Sequence, residues 1–136
     1  MLNLLARLQR ELGLSILIIT HNLNVVRHIT DRMAIMYLGR FVEHGPTEEV
    51  FHHPRHPYTQ ALLSANPEPD PETASARVEI SGEVPSLMHR PPGCEFHTRC
   101  PYAQDLCRRE APGRTADAAG RAYTCHYPLE RVGETV

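Results

Sequence analysis

Lysine is missing from this chain: all fourteen basic residues are arginine. A phosphate-cradling P-loop is a glycine-rich turn ending in Lys-Ser or Lys-Thr, so these residues contain none. Excess charge is missing too. The formal net charge is −2, which excludes a binder that grips nucleic acid through a strongly basic surface. Long apolar runs are absent; the longest, Ile16-Leu17-Ile18-Ile19, has the length of a strand and not of a membrane span. Met1-Leu2-Asn3-Leu4-Leu5 lacks the basic n-region and cleavage site of a signal peptide. These absences together predict a cytoplasmic chain of one domain or two small ones.

Cysteine is absent before Cys94. All four cysteines, Cys94, Cys100, Cys107 and Cys125, fall in the last third. In a cytoplasmic chain such clustering favours metal over disulfides. Four thiolates complete the shell of a tetrahedral zinc or of a cubane iron–sulfur cluster, and soft ligands select these over hard cations. The spacings, Cys94-x5-Cys100-x6-Cys107-x17-Cys125, are not the paired C-x2-C knuckles of common zinc sites. Zinc, an iron–sulfur cluster and free thiols all stay open at this point. His97 and His126 are possible substitute ligands, although four sulfurs already fill a shell. The segment from Pro85 to Pro128 has few large apolar residues, so a group tying the sulfurs together is expected to hold it folded.

The remainder reads as an α/β pattern. Leu4, Leu5, Leu8 and Leu12 recur at helical spacing, which predicts an amphipathic helix over Asn3–Leu12 ended by Gly13. Leu14 to Thr20 is a nearly continuous aliphatic run, the pattern of a parallel strand buried on both faces. Asn22 caps a short helix over Leu23–Ile29. Arg32–Leu38 and Arg40–His44 form a hairpin turning at Gly39-Arg40. Thr47 is expected to cap a helix running to Phe51, with Glu48 and Glu49 complementing its dipole. Tyr58–Ala65 is a further short helix. His52, His53 and His56 flank prolines and read as a solvated turn. Asn66 to Glu72 is a proline- and acid-rich linker, Val78–Val84 alternates like one short strand, and the tail after Pro128 is expected to fray.

His21 ends the predicted buried strand, and α/β sheets place ligands beyond the C-terminal ends of their strands. A neutral imidazole N–H can donate to a phosphate oxygen there. Taken alone, a loop histidine is better explained by plain exposure or a local partner.

Longer strings carry a resemblance. Ile18-Ile-Thr-His21-Asn22-Leu-Asn-Val-Val26, and Thr30 through the Tyr37-Leu38-Gly39-Arg40 turn to Val50, resemble the end of an ABC-transporter nucleotide-binding domain. His56-Pro57-Tyr58-Thr59-Gln60-Ala61-Leu62-Leu63, followed by Gly93-Cys94, Cys100-Pro101 and Cys107, resembles the C-terminal extension of ATP-binding subunits in oligopeptide and dipeptide importers. The resemblance covers nearly the whole chain. It implies a partial ABC-ATPase (P-loop NTPase) lobe followed by a small irregular cysteine-rich extension. The implied division is 1–65 for the C-terminal part of the nucleotide-binding domain, 66–84 for a linker and short strand, 85–128 for the extension and 129–136 for a flexible tail.

The resemblance also implies roles. His21 takes the place of the switch histidine that contacts the γ-phosphate, and Asn22 stands where an acid is usual. Cys94, Cys100, Cys107 and Cys125 would carry a [4Fe–4S] cluster, structural or redox-sensing, with zinc the alternative. ATP and Mg²⁺ would act only in the intact subunit. In the resembled family the P-loop, signature and catalytic Asp-Glu pair precede the helix at Asn3–Leu12, so the chain is expected to be the last part of such a subunit and inactive as an ATPase alone. The implied partners are transmembrane permease subunits, a second ATP-binding subunit and, indirectly, a peptide-binding protein, at the inner face of the cell membrane. A free-standing iron–sulfur or zinc module without a nucleotide role is the competing reading.

Overall fold

A computed structural model describes residues 1–66 and 77–130. Helix α1 spans Leu2–Leu12 and stops at Gly13, whose φ of 63° is the left-handed conformation glycine adopts without strain. Helix α2 spans Leu23–Ile29; the Asn22 side chain caps it by accepting from the Asn24 and Val25 amides. Strands β1 (Arg32–Tyr37) and β2 (Arg40–Pro46) pair antiparallel. Helix α3 covers Thr47–His52, α4 covers Pro57–Ala65 and α5 covers Asp105–Arg109. Strands β3 (Arg114–Ala116) and β4 (Ala122–Thr124) complete a four-stranded antiparallel sheet in the order β1-β2-β4-β3.

The sheet joins two stretches that look unrelated in sequence. Strand β4, just before Cys125, pairs with β2 of the hairpin through Glu43 opposite Tyr123 and His44 opposite Ala122. On the inner face Met33, Ile35 and Tyr37 alternate with exposed neighbours, as period-two patterning requires. They form one core with Val42, Val50 and Phe96. Phe96 comes from the cysteine segment and is 1% exposed. That segment therefore has an apolar anchor of its own, contrary to the expectation from its composition.

Several boundaries differ from the sequence expectation. The hairpin turns at Leu38-Gly39, both at positive φ (47° and 75°), the primed turn that matches strand twist. A bulge between Ile35 and Met36 lets Val42 and Glu43 both turn inward. Thr47 is the first residue of α3 and not its cap; its hydroxyl lies 2.9 Å from that of Thr30. Val78–Val84 forms no strand, although Ile80 packs on the core. Leu129 is tied to Arg55 by two hydrogen bonds, each 2.8 Å, so order continues past Pro128. Of the predicted linker, Asn66 to Glu72, only Asn66 lies within the described residues, as the C-cap of α4.

The largest correction concerns Leu14–Thr20. It is not a strand, and Leu17 and Ile19 are 90% and 93% exposed. A parallel strand buried on both faces needs a sheet neighbour at its edges and a layer on each side. None of the described residues supplies them.

Candidate functional site

The four cysteines converge. Cys94, Cys100, Cys107 and Cys125 line one cavity of about 10 Å³, room for roughly a single water molecule. Different elements bring them there. Gly93, at φ 70°, lets the chain press against α5, where the Cys94 amide donates to the Cys107 carbonyl at 2.8 Å. A Cβ at Gly93 would lie 2.4 Å from that carbonyl oxygen. Cys107 sits on α5, Cys125 directly follows β4, and Cys100 opens the turn whose Ala103 amide returns to its carbonyl at 3.3 Å.

Burial pushes the Cys94 and Cys100 thiols up, and Cys125 reaches about 12, with the neighbouring sulfurs adding to the effect. Cys94, Cys100 and Cys125 are thus held as neutral thiols. Among the described residues no three His, Cys, Asp or Glu side chains are placed to hold one metal ion. The donor set suits a thiolate-held group; the cavity, with room for about one water molecule, is smaller than a cubane cluster.

His97 and His126 line the same cavity, and each is turned by a backbone carbonyl. One ring nitrogen of His97 is 2.8 Å from the Cys94 oxygen, and one of His126 is 2.7 Å from the Glu110 oxygen. Each N–H donates to its carbonyl, which fixes the tautomer.

His56 also lines the cavity, which corrects its reading as part of a solvated turn. It is 1% exposed, and its Nδ1 accepts from the Tyr58 amide at 3.0 Å, capping α4. Burial lowers its pKa from 6.5 to about 4, so the ring stays neutral. The amides of His56 and Arg55 in turn donate to the Glu43 carboxylate at 2.9 and 2.8 Å. Burial raises the Glu43 pKa; those amide hydrogen bonds and the Arg121 charge work against the rise. Arg121, with its side chain fully buried, pairs with Asp117 at 2.8 Å and donates to the His53 carbonyl. It lies directly over Gly45, where a Cβ would come within 2.6 Å of its Cγ. Glu43, His56 and Arg121 therefore lock the hairpin, α4 and β4 together beneath the cysteine cavity.

None of the three stands out by composition. The signals were an acid in the middle of the second hairpin strand and a glycine two residues after it. His21 lies elsewhere. It is exposed, next to the Asn22 cap, and does not line the cysteine cavity.

The family described as oligopeptide/dipeptide transporter, C-terminal region, matches residues 42–107, which run from β2 to Cys107. The chain is similar to a probable peptide ABC transporter ATP-binding protein of Sinorhizobium fredii, with 51% identity over 125 residues, 92% of this chain and 35% of that protein. It is 48% identical over 124 residues to the dipeptide transport ATP-binding protein of Escherichia coli, covering 91% of this chain and 37% of that one. It is 51% identical over 112 residues to the oligopeptide transport ATP-binding protein of Salmonella typhimurium, covering 81% of this chain and 34% of that one. The chain thus spans little more than a third of the length of the curated relatives it matches.

Proposed function

We propose that the chain, whose residues 42–107 match the oligopeptide/dipeptide transporter C-terminal region, serves as the C-terminal portion of the ATP-binding subunit of a peptide importer. The single observation that carries this reading is identity near one half across nine-tenths of the chain to proteins named as peptide-transport ATP-binding proteins. In that reading residues 1–65 complete an ABC nucleotide-binding lobe, 66–84 connect it to the extension at 85–128, and 129–136 form its tail. The exposed Leu14–Thr20 run supports it, since such a run becomes a buried strand once sheet neighbours flank it. ATP binding and hydrolysis would be completed by a lysine-bearing P-loop, with Mg²⁺, outside these residues. His21 would then donate to the γ-phosphate. The subunit would work with permease subunits, a second ATP-binding subunit and a peptide-binding protein, on the cytoplasmic face of the membrane. None of the described helices is long and apolar enough to cross a bilayer.

A second reading concerns the cysteine cavity alone. Four thiols from separate elements lining one space favour a thiolate-held group, a [4Fe–4S] cluster with zinc as the alternative. Cys94, Cys100, Cys107 and Cys125 would hold it after losing their protons and moving apart. Such a group would supply a structural cross-link, or a redox centre if it holds iron. The chain's own part is to exclude water with Phe96 and to fix Cys94 against Cys107.

The test of the main reading is a chimera. The aligned segment of the E. coli dipeptide transport ATP-binding protein is replaced by this chain, and dipeptide uptake is measured in cells lacking the native subunit. Restored uptake is the expected result. A chimera that accumulates and assembles with the permease yet transports no more than the deletion strain overturns it.

A further inference from the structure

The outer face of the sheet gathers positive groups from three different strands. Strand β1 opens with Arg32, β2 contributes His44 and β3 opens with Arg114. The register puts all three on the side opposite the core: Ala34, beside His44, is exposed between buried Met33 and Ile35, and Arg114 pairs across β4 with Thr124. Arg114 Nη2 donates to His44 Nε2 at 3.0 Å, and both guanidiniums lie near enough to the imidazole to depress its ionisation after burial has done so. Between them the sheet is floored by Ala122, which faces His44 in the register. So small a side chain leaves a groove of about 230 Å³.

The charges on this face, Arg114 in the groove and Arg32 beyond His44, are not cancelled. Among the described residues neither Arg32 nor Arg114 is paired with a carboxylate; Arg32 donates only to the Gly120 carbonyl, at 3.3 Å. Glu43 borders the groove, but its carboxylate is turned to the other face, held by the Arg55 and His56 amides. One end of the groove is apolar. Phe41 borders it and is 57% exposed, with Met36 opposite it in the register and 51% exposed. An exposed aromatic beside the Arg114 guanidinium, which has no carboxylate partner among the described residues, is a matched pair of subsites. One is for an oxyanion, which arginine takes through its fork of donors, and the other is for a flat apolar group.

We propose that this outer groove binds a small phosphate monoester carrying an apolar or aromatic group. The phosphate lies on Arg114 and the free N–H of His44, with the Arg32 charge on the far side of His44, and the apolar group lies on Phe41. The groove is separate from the cysteine cavity, with which it shares no lining residue. This site does not depend on the transporter reading.

The test uses the full 136-residue chain and phenyl phosphate as the probe, with inorganic phosphate and phenol as partial probes. Binding is followed by NMR shifts of the His44 ring and the Phe41 ring. Saturable shifts at both residues are expected with phenyl phosphate, and shifts at His44 alone with inorganic phosphate. Arg114→Gln should weaken phenyl phosphate by about tenfold, the loss of one charge-assisted hydrogen bond, and Arg32→Gln, which removes only a nearby charge, by less. Phe41→Ser should weaken phenyl phosphate and leave inorganic phosphate unchanged. Both arginines are exposed, and circular dichroism confirms that each variant folds. Linear, non-saturating shifts, or equal affinity in the folded Arg114→Gln variant, overturn the proposal. So does binding of phenol as tight as that of phenyl phosphate.

Discussion

Phe96 of the cysteine segment meets Tyr37 of the hairpin edge to face, with ring centroids 5.2 Å apart and planes at 81°. Tyr58 of α4 closes the triangle, its ring 5.3 Å from Phe96 and 4.8 Å from Tyr37. Three stretches distant in sequence thus share one aromatic knot. Phe96→Ala removes its centre and is expected to cost about 3–5 kcal/mol, a large part of a small domain's stability. Chemical denaturation checks this; a loss well under 1 kcal/mol would mean that the segment does not fold on the hairpin.

Stability should fall on mild acidification, and His56 is the reason. Its pKa drops from 6.5 to about 4 on folding because burial penalises the charged ring. The folded state therefore prefers the neutral form. Its contribution is complete above the unfolded value and is lost as pH falls from 6.5 toward 4. Between about pH 7.5 and about pH 5 the expected loss is about 2 kcal/mol. Glu43 acts with the opposite sign. Its raised pKa gives stability that is complete below 4.5 and lost as pH rises through the folded value. The two are separated by His56→Asn, which can still cap α4 but does not titrate. Denaturation curves at the two pH values should show a flatter pH dependence for this variant than for the wild type.

Two glycines make opposite predictions. Gly93 sits at φ 70°, and an added Cβ would lie 2.4 Å from the Cys107 carbonyl oxygen. Gly93→Ala combines strain and collision and should cost at least about 2 kcal/mol while disturbing the cysteine cavity. Gly113 has open space around it, so Gly113→Ala should be neutral or add up to about 1 kcal/mol by restricting the unfolded chain. Thermal melts of the pair decide the matter.

The cysteine cavity predicts a metal dependence. Material purified without oxygen should carry iron and sulfide, with a broad absorbance near roughly 400 nm, or else colourless zinc. Cys107→Ser, at the buried member of the set, should lower the bound metal to less than about a tenth. Elemental analysis is the readout, and oxygen-protected protein with neither metal would contradict the thiolate-held group.

The legible parts of the chain were those governed by local rules. Gly13 ends α1 and Asn22 caps α2 because αL glycine and Asx caps need only neighbouring backbone. The hairpin was visible from its alternation, but its turn was misplaced by one residue because Leu38 accepts a positive φ that sequence alone would give to glycine. The convergence of the cysteines followed from their clustering. What stayed hidden was long-range: β2 pairing with β4, Phe96 filling the hairpin core, and His56 buried by both. The Leu14–Thr20 run shows the converse. Its pattern is that of a buried strand, but burial requires neighbours that the described residues do not provide.

The central claim is that this chain is the distal part of a nucleotide-driven transport subunit, with His21 facing the γ-phosphate. Mg²⁺-dependent ATP turnover by the purified E. coli chimera, with and without His21→Ala, tests it most directly. The account predicts turnover in the chimera and a fall of about a hundredfold on the substitution, the usual loss for one donor to developing charge. Equal turnover with and without the imidazole, or hydrolysis by the isolated 136-residue chain, would contradict it.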